Sequence, residues 1–325
     1  MFRVLIIVLA CLQPIGAIAR CAGTDLIAAM PTPERAALVD DAAQMPYSQG
    51  LLWHATRGDT QITLFGTYHF PHPQTADHLA RISPLIEVAD AVYLEVSNAD
   101  QARMEQAVAD DPSLMFITEG QTLPDLLGED DWQRFAKEMR ARSIPTFFAA
   151  KFKPVWAAMI LGIGSCEARN GAMQGDGIDT LIGKHATRLG TPTRSLEDFR
   201  TVLSMLDSFP MADQLDMIRL FFAWPGNPDD MAYTLRQRYL SQEVALIWSY
   251  SRVVSLKYGG DRAQQDFDQF EGLLLTDRNT AWLDVLEDAP EDRLFVAVGA
   301  AHLPGDTGVL HLLETKGFDI KPLPF

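Results

Sequence analysis

Four apolar runs in this sequence each lead, at their carboxyl end, into a side chain that can carry chemistry. They are residues 61–65 before His69, 91–94 before Glu95, 192–196 before Glu197, and 294–298 before His302. In open α/β sheets the carboxyl ends of parallel strands line the binding crevice. We therefore expect two imidazoles and two carboxylates to meet in one cleft. Because these runs span most of the chain, both chain ends must contribute to one sheet.

Both histidines follow a glycine at the same spacing. The two motifs are Gly66-Thr67-Tyr68-His69 and Gly299-Ala300-Ala301-His302. Glycine lets the chain turn sharply and lets the backbone approach a bound group closely. The repeated Gly-x-x-His motif favours a functional role for both histidines over a role as isolated core or surface residues.

Helical periodicity fills most of the chain between these runs. We expect a strand at 51–56, a helix at 76–89 that Pro84 kinks or splits, helices with breaks over 100–190 and 198–287, a helix at 306–316 and a strand at 318–323. This pattern predicts an α/β fold: a mixed sheet built from both chain ends, with large helical insertions. Residues 20–325 should form a single domain with a helical insertion at about 100–190.

The first 19 residues have the pattern of a secretory signal peptide. Arg3 is followed by an apolar run at 4–12 and by Ala17-Ile18-Ala19, a small-x-small cleavage site. The alternative is an uncleaved anchor, but the run is much shorter than the roughly 20 residues that a spanning helix needs. We expect an exported protein, most simply in a bacterial periplasm, without stable membrane insertion after cleavage.

The charge balance argues against nucleic acid as a partner. The chain has 27 Lys and Arg against 43 Asp and Glu, a net charge of -16. Such a surface repels a phosphate backbone, and no basic stripe offsets it.

The cysteines predict one disulfide. Cys11 leaves with the signal, so Cys21 and Cys166 remain as a pair in an oxidising compartment. Two cysteines without close spacing form neither a good zinc site nor a Cys-x-x-Cys redox motif.

Glu95 is the strongest single candidate on physical grounds. It is an isolated carboxylate within the apolar sequence Val92-Tyr93-Leu94-Glu95-Val96. A buried carboxylate is destabilised unless it is paired, metal-bound or protonated. The alternative is a strand-end Glu that reaches solvent or caps the next helix.

Arg278 should point inward on a helix. It stands four residues from both Leu274 and Trp282, so it shares their apolar face. An inward guanidinium needs an anion, which is either Glu95 or Glu197 in a structural pair, or a substrate carboxylate or developing oxyanion. The neighbouring Asn279 offers both a donor and an acceptor.

The remaining histidines carry weaker signals. His72 and His78 lie near His69 in a Pro-rich stretch and are accessory at best, and we assign no role to His54, His185 and His311. The sequence has neither a His-Glu-x-x-His motif nor a Gly-x-Ser-x-Gly motif, which argues against zincins and serine hydrolases.

These residues resemble the TraB/PrgY/GumN family, to which the Tiki metalloproteases are related. The resemblance extends from Leu51 to Leu323. Its matching elements are the two Gly-x-x-His motifs, Tyr93-Leu94-Glu95, Gly177-Ile178-Asp179, Ser195-Leu196-Glu197 and Arg278-Asn279. Ala301 and Pro304 depart from the Tiki-like pattern near the second motif. For Tiki relatives the resemblance implies metal-dependent peptide cleavage with manganese or cobalt, and for GumN-like members it implies much less.

Our leading hypothesis is an exported metal-dependent hydrolase that cleaves a peptide or amide bond in a peptide or small-molecule substrate. His69 and His302 would bind a divalent Mn, Co or Zn ion, and Glu95 would be a further ligand or the general base. Arg278 and Asn279 would stabilise an oxyanion, with Glu197 in the same site. The alternative is a non-catalytic periplasmic binding or regulatory protein whose cleft takes a peptide, haem or other anionic ligand.

Overall fold

A computed structural model describes residues 21–325, so the predicted signal peptide lies outside the described residues. The fold is α/β and is built on a six-stranded mixed sheet. Its strands are β1 Leu52–Arg57, β2 Thr60–Thr67, β3 Ala91–Leu94, β4 Thr193–Ser195, β5 Arg293–Gly299 and β6 Asp319–Pro322. The strand order is β4-β3-β5-β2-β1-β6. Both chain ends therefore share one sheet, as the sequence predicted.

The central strands of the sheet are parallel. β4 pairs with β3, β3 with β5, and β5 with β2 in parallel, whereas β1 is antiparallel to both β2 and β6. Helices cover β3 and β5 on both faces, which agrees with the almost continuously apolar sequences of these two strands. The turn at Gly58, with a φ of 61°, closes the hairpin between β1 and β2.

Helices fill the long intervals between the strands. They are α1 Thr32–Ala43, α2 Thr75–Glu87, α3 Asn98–Asp110, α4 Leu123–Leu127, α5 Glu129–Ala141, α6 Thr146–Ala149, α7 Pro154–Leu161, α8 Ser165–Arg169, α9 Ile178–Leu189, α10 Phe199–Ser208, α11 Met211–Ala223, α12 Pro228–Leu240, α13 Val244–Tyr258, α14 Ala263–Glu271, α15 Asp277–Glu287 and α16 Val309–Thr315. A π-helical turn, Gly272–Thr276, joins α14 to α15. Pro84 lies inside α2 without ending it.

The two faces of the sheet bury different helices. Leu294, Val296 and Val298 of β5 pack with α15 and α16, while Phe295 and Ala297 pack on the opposite face with α2, α9 and α12. This alternation follows from the period-2 geometry of a strand. A separate apolar cluster packs the helices α4, α5, α6 and α7 together with α11. The site-bearing edge of the sheet is therefore supported on both faces by apolar packing.

The predicted disulfide is present between Cys21 and Cys166. Their Cα atoms lie 5.8 Å apart, and 145 positions separate them in the sequence. Arg236 of α12 reinforces the junction, since its Nη2 donates to the carbonyl of Cys21 at 2.5 Å and its Nη1 pairs with Glu167. The segment that precedes α1 is thereby tied to α8 and α12.

Within residues 21–325, none of the helices combines the length and the apolar character that a membrane crossing requires.

Removing the disulfide should destabilise the protein. The chain-entropy model gives a loss of about 3–5 kcal/mol in the free energy of unfolding for so long a loop. Urea denaturation of the oxidised protein and of the Cys21→Ser/Cys166→Ser variant checks this. Reductant should lower the stability of the parent and leave the double variant unchanged. Equal stability of the parent with and without reductant would contradict the prediction.

Candidate active site at the carboxyl edge of the sheet

The four polar side chains that follow the parallel strands lie side by side at one edge of the sheet. The strand order β4-β3-β5-β2 places them in the order Glu197, Glu95, His302 and His69. The backbone ladder continues beyond β3 and β4, because the Glu197 N–H donates to the Glu95 carbonyl at 3.2 Å. The convergence predicted from the sequence is thus a property of the fold.

Glu95 is a buried carboxylate with a donor on each oxygen. Its Oε1 accepts from the backbone N–H of Gly299 at 2.6 Å, and its Oε2 accepts from Nη2 of Arg278 at 2.6 Å. Burial alone would raise the pKa of Glu95, but His302, His69 and Arg278 outweigh it and lower the pKa to about 2. Glu95 is therefore ionised at neutral pH.

Gly299 leaves room for two site residues that lie close to its backbone. A Cβ at this position would lie 3.0 Å from Nε2 of His69 and 3.2 Å from Oε1 of Glu95. A side chain at this position of the second Gly-x-x-His motif would require the imidazole or the carboxylate to shift.

His302 is buried and its tautomer follows from its neighbours. The Nδ2 of Asn279 donates to the Thr307 carbonyl at 2.8 Å, so Oδ1 of Asn279 is free to accept from Nδ1 of His302 at 2.6 Å. Nε2 of His302 then carries the lone pair, 3.8 Å from Oε1 of Glu95. Burial lowers the pKa of His302 to about 4. Its ring also packs on Trp282 with centroids 4.5 Å apart.

Asn279 therefore lies behind His302. Its side chain is 1% exposed and both ends of its amide are engaged. The oxyanion role predicted for Asn279 needs a donor that faces the substrate, and in this structure the amide nitrogen is already bound to the Thr307 carbonyl.

His69 is held by Asp179 at the first turn of α9. Nδ1 of His69 lies 3.1 Å from Oδ2 of Asp179, whose Oδ1 accepts from the Thr67 hydroxyl at 2.5 Å. Asp179 raises the pKa of His69 above its usual value, although 57% of the His69 side chain is exposed. Asp179 was not among the predicted site residues. The sequence signal for it was the Gly177-Ile178-Asp179 element. In the structure Gly177 packs against His69, because a Cβ at Gly177 would lie 2.0 Å from the His69 carbonyl oxygen.

Arg278 bridges the two carboxylates. Its Nε lies 3.0 Å from Oε1 of Glu197, and its Nη2 contacts both Glu197 and Glu95. Its Nη1 makes two longer contacts of 3.3 Å, to the Leu274 carbonyl and to Nε2 of His302. Glu95 and Glu197, which the sequence left open as alternative partners of Arg278, thus both pair with it. Burial raises the pKa of Glu197, and the guanidinium compensates its charge.

The other histidines lie elsewhere. His72 and His78 are buried in an aromatic cluster with Tyr239, where His78 also contacts Phe325 with ring centroids 4.8 Å apart. His185 contacts Arg188, and His311 contacts Glu314.

The site contains side chains of the kinds that bind divalent ions. Among residues 21–325, no group of three or more His, Cys, Asp or Glu side chains is arranged so that it could hold a metal ion. Nevertheless, His69 and His302 flank the ionised Glu95, and a hydrogen-bond partner holds Nδ1 of each ring. In metal sites such partners orient the ring so that Nε2 can bind the ion.

Removing the guanidinium should be costly. Arg278→Met leaves Glu95 and Glu197 buried without a counterion, which should reduce the free energy of unfolding by about 3–5 kcal/mol. Urea denaturation measures this loss. The matched control, Arg194→Met, breaks the more exposed pair with Glu291 and should lose less than about 1 kcal/mol. Equal effects of the two substitutions would refute the compensating role of Arg278.

Comparison with known proteins adds one finding to this geometry. A search of curated proteins found no match. The profile of the TraB/PrgY/gumN family matches residues 51–322, a range that includes all six strands and the four polar strand-end residues. Since the match covers well over half of the chain, this protein belongs to the TraB/PrgY/gumN family.

Proposed function

We propose that this protein is an exported, metal-dependent hydrolase that cleaves a peptide or amide bond. The observation that carries the proposal is the placement of two imidazoles beside one ionised carboxylate, with Nδ1 of His69 and of His302 each engaged by a polar side chain. This arrangement differs from a Ser or Cys nucleophile with its base. Its residue types are those of the two-histidine, one-carboxylate donor sets that bind divalent ions.

The proposed ligands are His69, His302 and Glu95, and the ion is Mn, Co or Zn. When bound, such an ion acts as a Lewis acid and makes water nucleophilic near neutral pH. Asp179 and Asn279 orient the two rings. Because His302 is neutral at pH 7, its Nε2 carries no proton, and an ion there would have to replace only the 3.3 Å contact with Nη1 of Arg278.

Glu95 is better suited to be a ligand than a general base. An effective base at neutral pH has a pKa near 7, whereas the pKa of Glu95 is about 2. Its carboxylate is also fixed by Gly299 on one oxygen and by Arg278 on the other. We therefore assign Glu95 mainly the role of a charged ligand that orients the site. Proton transfer is its secondary role.

Arg278 supplies positive charge beside the reacting bond. Its Nε and Nη2 are committed to the carboxylates, but the two contacts of Nη1 are the longest that it makes. An N–H on Nη1 is thus the group most easily redirected to an oxyanion that develops on the substrate.

Export is supported by the disulfide. Bridges such as Cys21–Cys166 form and persist in oxidising compartments, including the bacterial periplasm.

Metal binding is the direct test. Isothermal titration of the purified, metal-stripped protein with Mn²⁺, Co²⁺ and Zn²⁺ should show one site. His69→Ala should abolish the site, and Asp179→Asn should weaken binding about 10–100-fold because it loosens the ring. His311→Ala, on the surface of α16, is the control and should bind as the parent does. A parent protein that takes up none of the ions would refute the proposal and favour the non-catalytic ligand-binding alternative.

Glu95→Gln separates catalysis from folding. This change keeps the size of the side chain and removes its charge. Loss of the charged ligand should weaken metal binding, and loss of its part in proton transfer should lower metal-dependent peptide hydrolysis by about 10²–10⁴-fold. Glu287→Gln, at a surface pair with Arg57 and Lys316, should keep full activity. Thermal melting of both variants shows whether folding has been lost. A folded, metal-loaded and fully active Glu95→Gln protein would contradict the role of Glu95.

A further inference from the structure

A cavity of about 480 Å³ lies in the helical part of the chain, between α7, α11, α13 and α14. This volume is typical of small-molecule sites, which range over roughly 300–1,000 Å³. Most of its walls are apolar. Aromatic and methionine side chains dominate them, among them Trp224, Trp248, Phe267, Phe270, Met217 and Met231.

The cavity is open to solvent, which distinguishes it from a packing defect. Met159 lines it and is 50% exposed, so this residue marks the mouth. Trp224 and Trp248 in its walls are only partly buried. Close-packed interiors tolerate few voids larger than a water molecule. Methionine side chains adapt to ligands of different shape, so these walls suit a ligand with a flexible hydrocarbon chain.

The ionisable residues of the lining are all acidic. They are Asp213, Asp216 and Asp266, and the lining has no Lys, Arg or His. Arg262 pairs with both Asp213 and Asp266, at 2.8 and 2.7 Å, and Arg219 pairs with Asp216 at 2.9 Å. Three carboxylates thus share two guanidinium groups, which leaves one negative charge in excess. An anionic head group would be repelled and a cationic one attracted.

The aromatic side chains favour the same kind of head group. Trp248 packs with Phe267 and Phe270, with ring centroids 5.3 and 6.3 Å apart. Aromatic faces attract cations, and ammonium groups are bound in this way.

From the volume, the apolar walls and the acidic residues, we propose that this cavity binds an amphiphile with one hydrocarbon chain and a cationic head group. The cavity reaches Leu274 in the π-helical turn, whose carbonyl accepts from Nη1 of Arg278. It lies beside the candidate active site but uses none of its proposed ligands. Binding to the cavity therefore does not depend on the proposed hydrolysis.

Two probes with the same chain and opposite charge test the proposal. Decyltrimethylammonium and decanoate, each below its micelle-forming concentration, are titrated into the full protein by calorimetry and tryptophan fluorescence. We expect saturable binding of one decyltrimethylammonium and at least tenfold weaker binding of decanoate. Because Trp224 and Trp248 line the cavity, binding should also change the tryptophan emission. Equal affinity for the two probes, or no saturable binding of the ammonium probe, would overturn the proposal.

Variants that fill the cavity locate the site. Ser251→Phe on α13 and Ala158→Phe on α7 should each weaken binding of decyltrimethylammonium at least tenfold. Ser204→Phe, at an exposed position of α10 outside the lining, is the control and should bind as the parent does. Circular dichroism confirms that each variant folds, and two independent fillings protect the test against the failure of one. Undiminished binding in both folded variants would show that the probe binds elsewhere.

Discussion

The guanidinium of Arg278 is the interaction on which the arrangement at the sheet edge depends. Two neighbouring parallel strands end at Glu95 and Glu197, whose side chains are 15% and 8% exposed. Ionised carboxylates so close and so buried repel each other, and desolvation disfavours both charges. Arg278 on α15 contacts both and thereby fixes this helix against the sheet. Because Asn279 is the next residue, the same turn of α15 also orients His302. One helical turn thus sets three of the four polar strand ends.

The fourth strand end depends on a different device. His69 lies on the exposed side of the site and is held by Asp179 at the first turn of α9. Gly177 lets the start of this helix pack closely against the backbone of His69. The site therefore has a buried half, in which charge is compensated, and an exposed half that a substrate can reach. This asymmetry agrees with the pKa values, which are lowered for His302 by burial and raised for His69 by Asp179.

Much of the fold could be predicted because its signals are local. Short apolar runs closed by turn residues identified the strands, and the positions of His69 and His302 implied a sheet shared by both chain ends. The disulfide followed from counting cysteines. The partner of Nδ1 of His69 could not be predicted, because Asp179 comes from a helix whose position depends on tertiary packing. The orientation of the Asn279 amide depends on the Thr307 carbonyl, and the helical cavity depends on how amphipathic helices pack, which their periodicity does not specify.

Charge balance connects these parts to the proposed chemistry. Glu95, Glu197 and Asp179 bring three negative charges to the site, and Arg278 brings one positive charge. With neutral imidazoles the site is two positive charges short of neutrality, which is the charge of one divalent cation. Asp179 raises the pKa of His69, so a protonated His69 brings part of this positive charge. An ion bound to this ring would have to displace the proton. Glu197 pairs with Arg278, so the second buried carboxylate offsets the charge of the guanidinium beside Glu95.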